Sequence, residues 1–274
     1  MPELPEVETV RKTLERLVVG KTIKDVTVKL GRIIQHPDDV EQFRHHLVGC
    51  TITAVQRRGK FLKIICPPSV LVSHLRMEGK YRLAEETEPL EKHTHVIFHF
   101  TDGTQLRYRD VRQFGTMHLF AMGEEEQRNP LKKLGPEPLS DAFTLEWFQC
   151  TLVKRKAKVK VVLLNQEYLV GLGNIYVDES LFAAGIHPER AASSLTEEEV
   201  ARLHQSIRKI LAEAVEAGGS SVRSYLNGEG EMGMFQLKIQ VYGRKGEPCR
   251  KCGAPIERIV VGGRGTHICR TCQR

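Results

Sequence analysis

Apolar residues recur at helical spacing at the start of the chain and again in its second half, with a different rhythm between. Val7, Val10, Leu14, Leu17 and Val18 fall three or four residues apart. They predict an amphipathic helix with Pro5 in its first turn and Gly20 beyond its end. From about Thr22 to Phe120 the period shortens. Val26, Val28 and Leu30 alternate, as do Ile52 and Ala54, while Phe61–Ile65 and Val70–Val72 are short continuous runs. His95–Phe100 and Gln105–Tyr108 flank Thr101-Asp102-Gly103-Thr104, a hairpin signal. This stretch predicts a β-sandwich or barrel packed with one leading helix.

Gly123 to Ser140 is polar and holds Pro130, Pro136 and Pro138, as a linker would. Helical spacing then returns at Leu145–Leu152 and Lys158–Leu164 and from near Asn174, after Gly171-Leu172-Gly173. A longer helix is predicted from about Thr196 to Ala217. Ser194 or Thr196 and Glu197–Glu199 supply its start, and Gly218 and Gly219 its stop. Ser220 to Phe235 contains Gly228, Gly230 and Gly233 without periodicity and reads as a mobile loop.

Composition adds a bound and charge adds a partner. With 41% hydrophobic and 27% charged residues the chain is an ordinary globular protein. No apolar run approaches the ~18 residues of a membrane span. The first ten residues hold three glutamates and no apolar signal region, which argues against secretion. The net charge is +7, and the segment from Lys238 to Arg274, with nine Lys or Arg against two Glu, carries all of it. A basic tail on a neutral body calls for a polyanionic partner.

Four of the seven cysteines lie in that tail, as Cys249-x2-Cys252 and Cys269-x2-Cys272. Two such pairs can present four thiolates to one tetrahedral Zn²⁺. Two disulfides or an iron–sulfur centre would be the other uses of this spacing. Four protein ligands leave no open position, so such a zinc is structural. Cys50, Cys66 and Cys150 are scattered among apolar neighbours, and an odd count fits a reducing, cytoplasmic setting. Between the pairs, Ile256–Val261 and Thr266–Ile268 resemble strands joined by Gly262-Gly263-Arg264-Gly265. Arg264 is then either a solvated turn residue or a guanidinium offered to a phosphate.

The other end of the chain carries a different chemistry. Removal of Met1 would leave Pro2 with a free secondary amine. At pKa near 7.7–8.0, against ~10.4 for lysine, roughly a tenth of an α-amine is neutral at pH 7. Addition of a secondary amine to an aldehyde-level carbon gives an iminium, an electron sink suited to elimination. Glu3 and Glu6 lie beside it, where a helix start favours carboxylates; Pro and Glu are also common at helix starts for structural reasons alone. Arg57-Arg58-Gly59-Lys60 and the five cations of Lys154-Arg155-Lys156-Ala157-Lys158-Val159-Lys160 are solvated faces or phosphate contacts. Arg112 and Phe114 could wedge a base step, or be a surface arginine beside a core ring.

Taken in order, Pro2-Glu3-Leu4-Pro5-Glu6-Val7-Glu8-Thr9, Arg57-Arg58-Gly59-Lys60, His74-Leu75-Arg76-Met77, Leu134-Gly135-Pro136-Glu137-Pro138-Leu139, Gly171-Leu172-Gly173-Asn174-Ile175-Tyr176 and the four-cysteine tail carry a resemblance. Over essentially its whole length the chain resembles the bacterial formamidopyrimidine-DNA (8-oxoguanine-DNA) glycosylases. The resemblance implies an α+β multidomain fold. Residues 1–135 would form an N-terminal β-sandwich with a leading helix, and residues 136–237 a helix-two-turn-helix DNA-binding domain with a mobile loop at 218–235. Residues 238–274 would form a zinc-finger β-hairpin holding one structural Zn²⁺ on Cys249, Cys252, Cys269 and Cys272.

The resemblance also implies a bifunctional glycosylase and abasic-site lyase of base excision repair. Its partner would be duplex DNA with an oxidised purine, 8-oxoguanine or a formamidopyrimidine, opposite cytosine. Pro2 would be the nucleophile at C1′, Glu3 the acid–base residue of ring opening with Glu6 in support, and Lys60 a second acid–base and phosphate residue. Arg264 would clamp the phosphates of the everted nucleotide and assist δ-elimination. Met77, Arg112 and Phe114 would fill the gap in the stack, Arg112 facing the orphan cytosine, while His93, Arg155, Lys160 and Asn174 would hold the DNA. The loop 218–235 would close over the everted base, which Glu78 would also face. The protein would act as a monomer in the bacterial cytoplasm, with the chromosome and without a membrane. An endonuclease VIII-like enzyme for oxidised pyrimidines and a zinc-finger DNA-binding protein without chemistry are the competing readings. The Arg112-Gln113-Phe114 wedge and Leu4 favour purines; Pro2 and Glu3 together favour chemistry.

Overall fold

The computed structural model describes residues 1–220 and 233–274, which form two compact units. The first comprises residues 1–132 with the described residues Ser220 and Gly233. The second comprises residues 133–219 and 234–274.

In the first unit the leading helix α1 spans Leu4–Val18. It starts where Glu3 caps it, with the Glu3 N–H donating to Glu6 Oε2 at 2.8 Å, and Val7, Val10, Leu14 and Val18 are its buried stripe. Nine strands follow: β1 (Ile23–Val28), β2 (Ile34–His36), β3 (Ala54–Arg58), β4 (Phe61–Cys66), β5 (Ser69–His74), β6 (Lys80–Glu85), β7 (Thr94–Phe100), β8 (Thr104–Arg109) and β9 (Thr116–Ala121). They form a sandwich of a four-stranded sheet, β1-β7-β8-β6, and a five-stranded one, β2-β9-β5-β4-β3, which settles sandwich against barrel. One core fills it, with Val26, Phe98, Phe100, Leu106, Leu62 and Leu71 each at most 2% exposed. Burial of each such side chain contributes roughly 1.5–3 kcal/mol.

Pattern reading overlooked one helix in this stretch. The helix α2 (Val40–Leu47) is capped by Asp39, whose carboxylate accepts from the Glu41 N–H at 2.7 Å, and it buries Phe43 and Leu47. The signal was present as Asp39 followed by Val40, Phe43 and Leu47 at helical spacing, too short to stand out among strands.

In the second unit α3 (Leu145–Leu152), α4 (Val159–Leu164), α5 (Asn174–Ala184) and α6 (Glu197–Glu216) follow one another. Thr196 and Glu199 form a reciprocal cap at the start of α6, which buries Val200, Leu203, Ile207, Leu211 and Ala214 along one face. Between α4 and α5 the chain makes a double turn held by Gln166. Its Nε2 donates to the Leu164 and Leu172 carbonyls at 3.0 and 2.9 Å, and its Oε1 accepts from the Gly171 N–H at 2.9 Å. The helix α5 is buried nearly all round and stops at Gly185, whose φ of 73° is the left-handed stop that glycine adopts freely.

The finger closes the unit. Strands β10 (Glu257–Val261) and β11 (Arg264–Ile268) pair antiparallel around Gly262-Gly263, both at positive φ, 55° and 74°. That is the backbone a two-residue hairpin demands. The turn is tighter than the sequence suggested, and Arg264 opens β11 instead of sitting in the turn. Most of the predicted loop 218–235, residues 221–232, lies outside the described residues. Its described flanks are bonded together, Met234 N–H to the Ala217 carbonyl and Phe235 N–H to that of Gly219, at 2.9 and 3.0 Å.

Candidate functional site

The sandwich topology gathers most of the predicted site residues of the first unit at one end. Lys60 lies in the turn between β3 and β4, and Phe61 pairs with His74 at the end of β5. His74 pairs with Thr116 at the start of β9, and Lys80, opening β6, pairs with Arg109, closing β8. The segments 75–79 and 110–115 therefore cross between the sheets at this same end. His93, just before β7, accepts from the Asp110 N–H at 3.1 Å through its carbonyl. Helix α1 runs antiparallel to β3: Glu8 Oε2 accepts from Arg57 Nε at 3.0 Å, and further on Arg11 Nη1 reaches the Val55 carbonyl. Its N-terminus thus points to the Lys60 end, bringing Pro2, Glu3, Glu6, Lys60, Met77, His93, Arg112 and Phe114 together.

The reactive candidates are buried and the wedge candidates exposed. Pro2 is buried behind an exposed Met1, Glu3 and Glu6 are 3% and 5% exposed, and Lys60 is 4% exposed. Glu6 serves both ends of its neighbourhood. One oxygen caps α1 through Glu3, and the other accepts from the N–H of Ser220, the residue that leads into 221–232, at 2.7 Å. Arg57 braces the turn, donating to the Gly59 carbonyl at 2.9 Å, and is not a free cation. Met77, Arg112 and Phe114 are exposed, with the Arg112 guanidinium 5.0 Å from the Phe114 ring centroid. Glu78 is exposed beside Met77.

Three non-glycine residues at this end hold left-handed backbone: Arg76, His93 and Gln113, at φ of 53°, 68° and 58°. Each costs on the order of 1–3 kcal/mol and persists only where its surroundings impose it. His74 imposes the first, its Nδ1 accepting from the Arg76 N–H at 2.9 Å. Burial, followed by the charges of Arg76 and Lys60, presses the His74 imidazole down to about 3, so it stays a neutral acceptor. Asp110 imposes the third: Oδ1 accepts from the Arg112 N–H at 3.1 Å and Oδ2 from the Gly115 N–H at 2.8 Å. Asp110 and His74 hold the backbone of these turns, and residue-by-residue reading did not single them out. An Asp two residues before a turn amide was the available signal for Asp110.

In the second unit one helix face holds the hairpin. Asn174 Nδ2 donates to the Gly265 carbonyl at 2.8 Å, Asp178 Oδ2 accepts from the His267 N–H at 2.9 Å, and Phe182 packs on Cys249, Ile256 and Cys269. Four residues of helix rise ~6 Å and two of strand ~6.6 Å, so residues 174, 178 and 182 keep step with 265, 267 and 269. Glu179 accepts from the amides of Gln240, Val241 and Tyr242 at 2.8, 2.9 and 2.9 Å. Arg264 itself is exposed.

One expectation is corrected here. Lys160 does not offer its ammonium to DNA: the side chain is fully buried and Nζ lies 2.6 Å from Asp178 Oδ1. A cation in the apolar run Val159–Leu164 and two carboxylates in the apolar helix α5 were the signal for this internal pair. Arg155 is half-buried and folded back, its guanidinium 3.8 Å from the Tyr168 ring centroid. The outward cations of that cluster are Lys154, Lys156 and Lys158, the last paired with Glu189 Oε1 at 2.5 Å.

The four finger sulfurs lie within 4.8 Å of one another, the only such group of potential ligands among the described residues. Cys249 and Cys272 Sγ are 3.9 Å apart, and Cys252 and Cys269 Sγ are 3.4 Å apart. Disulfides need ~2.05 Å, whereas tetrahedral sulfurs with bonds of ~2.3 Å to zinc stand roughly 3.8 Å apart. The Lys251 N–H also donates to Cys249 Sγ at 3.4 Å. The residues fit one structural Zn²⁺.

A sandwich with its polar groups at one end, a helix–double turn–helix unit and a four-thiolate hairpin define a zinc-finger enzyme of the helix-two-turn-helix class. Family models agree along the chain. The formamidopyrimidine-DNA glycosylase N-terminal domain matches residues 1–117, the H2TH domain of the same glycosylases matches 134–225, and a zinc finger found in FPG and IleRS matches 246–274. The chain belongs to the formamidopyrimidine-DNA glycosylase family. The formamidopyrimidine-DNA glycosylase of Brevibacillus brevis is 64% identical over 274 residues, covering 100% of this chain and 99% of its own. That of Bacillus licheniformis is 61% identical with both chains fully covered. Among solved structures, wild-type Lactococcus lactis Fpg (MutM) in complex with N7-benzyl-Fapy-dG DNA superposes with a TM-score of 0.93 at 46% identity over 100% of both chains. A complex of the Lactococcus lactis Fpg with abasic-site DNA gives 0.94 at 45% identity over 99% of each.

Proposed function

We propose that this protein excises oxidised purines from duplex DNA and then cleaves the strand at the resulting abasic site. The observation that carries the reading is the juxtaposition of a buried, capped Pro2-Glu3 start with Lys60 and an exposed Met77, Arg112 and Phe114 at one end of the sandwich. With Met1 removed, the Pro2 amine forms a bond to C1′ of the everted nucleotide as the bond from C1′ to the purine breaks, the proton lost by the amine nitrogen balancing the one the departing purine takes up. Glu3 donates a proton to the sugar-ring oxygen as the ring opens and the iminium forms. A base then takes a 2′ proton as the 3′ phosphate leaves by β-elimination, and a second proton is taken from C4′ as the 5′ phosphate leaves by δ-elimination. Lys60 and Arg264 neutralise the departing phosphates. Hydrolysis of the iminium returns the amine.

Glu6 supports Glu3 and the start of the loop. Met77, Arg112 and Phe114 occupy the vacated stack, Arg112 facing the opposite cytosine. His93, Asn174 and Arg264 hold the backbone, with Lys154 and Lys156 better exposed for that work than Arg155. The substrates are 8-oxoguanine and formamidopyrimidines. Among the described residues no helix is long and apolar enough to cross a membrane, and the protein works as a monomer in the bacterial cytoplasm, where the chromosome is.

Borohydride reduction during turnover of a duplex with one 8-oxoguanine opposite cytosine tests this directly. A covalent adduct mapping to Pro2 is expected, and Pro2→Gly should lose most trapping while keeping duplex affinity. An adduct on Lys60, or none, would overturn the reading.

A further inference from the structure

The two crossovers that carry Met77 and Arg112–Phe114 lie side by side, because β5 pairs with β9 and β6 with β8. Tyr108, the last but one residue of β8, fills the space between them and is wholly buried. A Cβ on Gly79 would fall 2.3 Å from the Tyr108 hydroxyl oxygen, and a Cβ on Gly115 would fall 1.7 Å from it. Neither distance is open to real atoms, since Cβ contacts below 3.0 Å essentially do not occur. Neither glycine is at positive φ, unlike Gly59 or Gly103, so their backbone conformations suit any residue. Space alone requires glycine at both places: the Tyr108 phenol oxygen takes it at both, and at Gly79 the Leu75 carbonyl oxygen, 2.7 Å from such a Cβ, takes it as well.

The ring that carries this oxygen is itself fixed. Tyr81 packs against it with centroids 5.0 Å apart, and the Tyr81 hydroxyl donates to Ser73 Oγ at 2.8 Å. Gly115 is also tied by its N–H to Asp110, while the Gly79 N–H donates to the Leu75 carbonyl at 2.9 Å. Each crossover is therefore a closed turn bearing on the same oxygen. Met77 stands two residues before one contact and Phe114 one residue before the other, so a shift of the hydroxyl moves both.

We propose that Tyr108 is a positioning residue for the wedge: its hydroxyl sets the spacing of the two crossovers and, through Met77, Arg112 and Phe114, the discrimination of the base opposite the lesion. The inference rests on the wedge reading given above. The full-length zinc-loaded protein and its Tyr108→Phe, Gly115→Ala and Phe114→Ala variants test it. Single-turnover excision is measured with 8-oxoguanine opposite cytosine and opposite adenine, with cleavage of a preformed abasic site and thermal unfolding alongside.

Tyr108→Phe and Gly115→Ala should narrow the cytosine-over-adenine ratio by about tenfold and leave abasic-site cleavage within about threefold, since displacements near 1 Å suffice for such losses. Tyr108→Phe should do so with little change in unfolding temperature. If Phe114→Ala leaves the ratio unchanged, the wedge reading fails and the inference with it. If Phe114→Ala alters the ratio and Tyr108→Phe does not, only the inference fails. Equal losses on all three substrates with a lowered unfolding temperature would reduce Tyr108 to a core residue and overturn it as well.

Discussion

The loop end of the sandwich and the finger hairpin both hold an arginine out to solvent, and they do so by opposite means. At the sandwich end Arg112 stands on a crossover beside left-handed Gln113, held by backbone amides to Asp110 and by the Gln113 Oε1 accepting from Arg32. The strain there is carried by a large apolar core, which can support residues in unfavourable backbone. The finger has no comparable core: Phe182, Val241, Cys249, Ile256 and Cys269 make up its buried cluster. Arg264 is instead steadied by four thiolates, by Asp178 and Lys160, and by Glu179. A small module without enough apolar area to order itself is ordered by metal and buried charge.

Removing the metal should break this contrast most severely. Structural zinc supplies an apparent ~10–16 kcal/mol in small fingers. Chelation should therefore unfold residues 246–274 and abolish DNA binding, while amides of β4, β5 and β9 keep their hydrogen-exchange protection. Loss of protection in the sandwich at the same chelator concentration would mean that the two regions are not independently ordered.

The buried ion pair comes next. Asp178→Ala leaves the Lys160 ammonium, fully buried, without its carboxylate, and should cost about 3–5 kcal/mol in denaturant unfolding of the second unit. Replacing both partners together by apolar residues, Lys160→Met with Asp178→Leu, should cost much less. A single-variant loss below about 1 kcal/mol, the scale of a surface pair, would show the pair to be water-exposed in solution.

Acid should act on the sandwich end in a defined window. Burial, with Arg76 and Lys60 nearby, lowers His74 from 6.5 to about 3. Burial likewise brings His118 to about 4. Between those values and 6.5 the unfolded chain binds protons that the folded one refuses. Stability from these groups is thus complete above pH 6.5 and lost as the pH falls towards 3 to 4. Urea midpoints from pH 7.5 to 4.5 should fall in the wild type and fall less in His74→Gln. An unchanged slope in the variant would remove His74 from the account.

Much of this arrangement was legible in the chain, for identifiable reasons. The zinc ligands could be read because ligand spacing is a local property, and α1 and α6 because their apolar stripes are long and capped. The helix α2 was hidden by its two turns. Lys160 misled because a lysine among four other cations looks like surface, and its partner Asp178 lies eighteen residues away in an apolar helix. The crossovers of β5 to β6 and β8 to β9 depend on strand pairing, which no local pattern encodes, so the company kept by Met77 and Phe114 became visible only in the fold.

We propose a division of labour: the sandwich end performs the covalent chemistry, and Arg264 on its braced hairpin holds the nucleotide out of the stack. Eversion costs a few kcal/mol, and a guanidinium fork on the flanking phosphates offsets part of it. Single-turnover rates of Arg264→Ala on an 8-oxoguanine duplex and on a preformed abasic site separate the two roles. Excision should fall by about two orders of magnitude or more, as for loss of a charge-stabilising donor, with zinc retained and abasic-site cleavage reduced much less. Equal losses on both substrates would assign Arg264 to the elimination chemistry alone, and no loss on either would contradict the account.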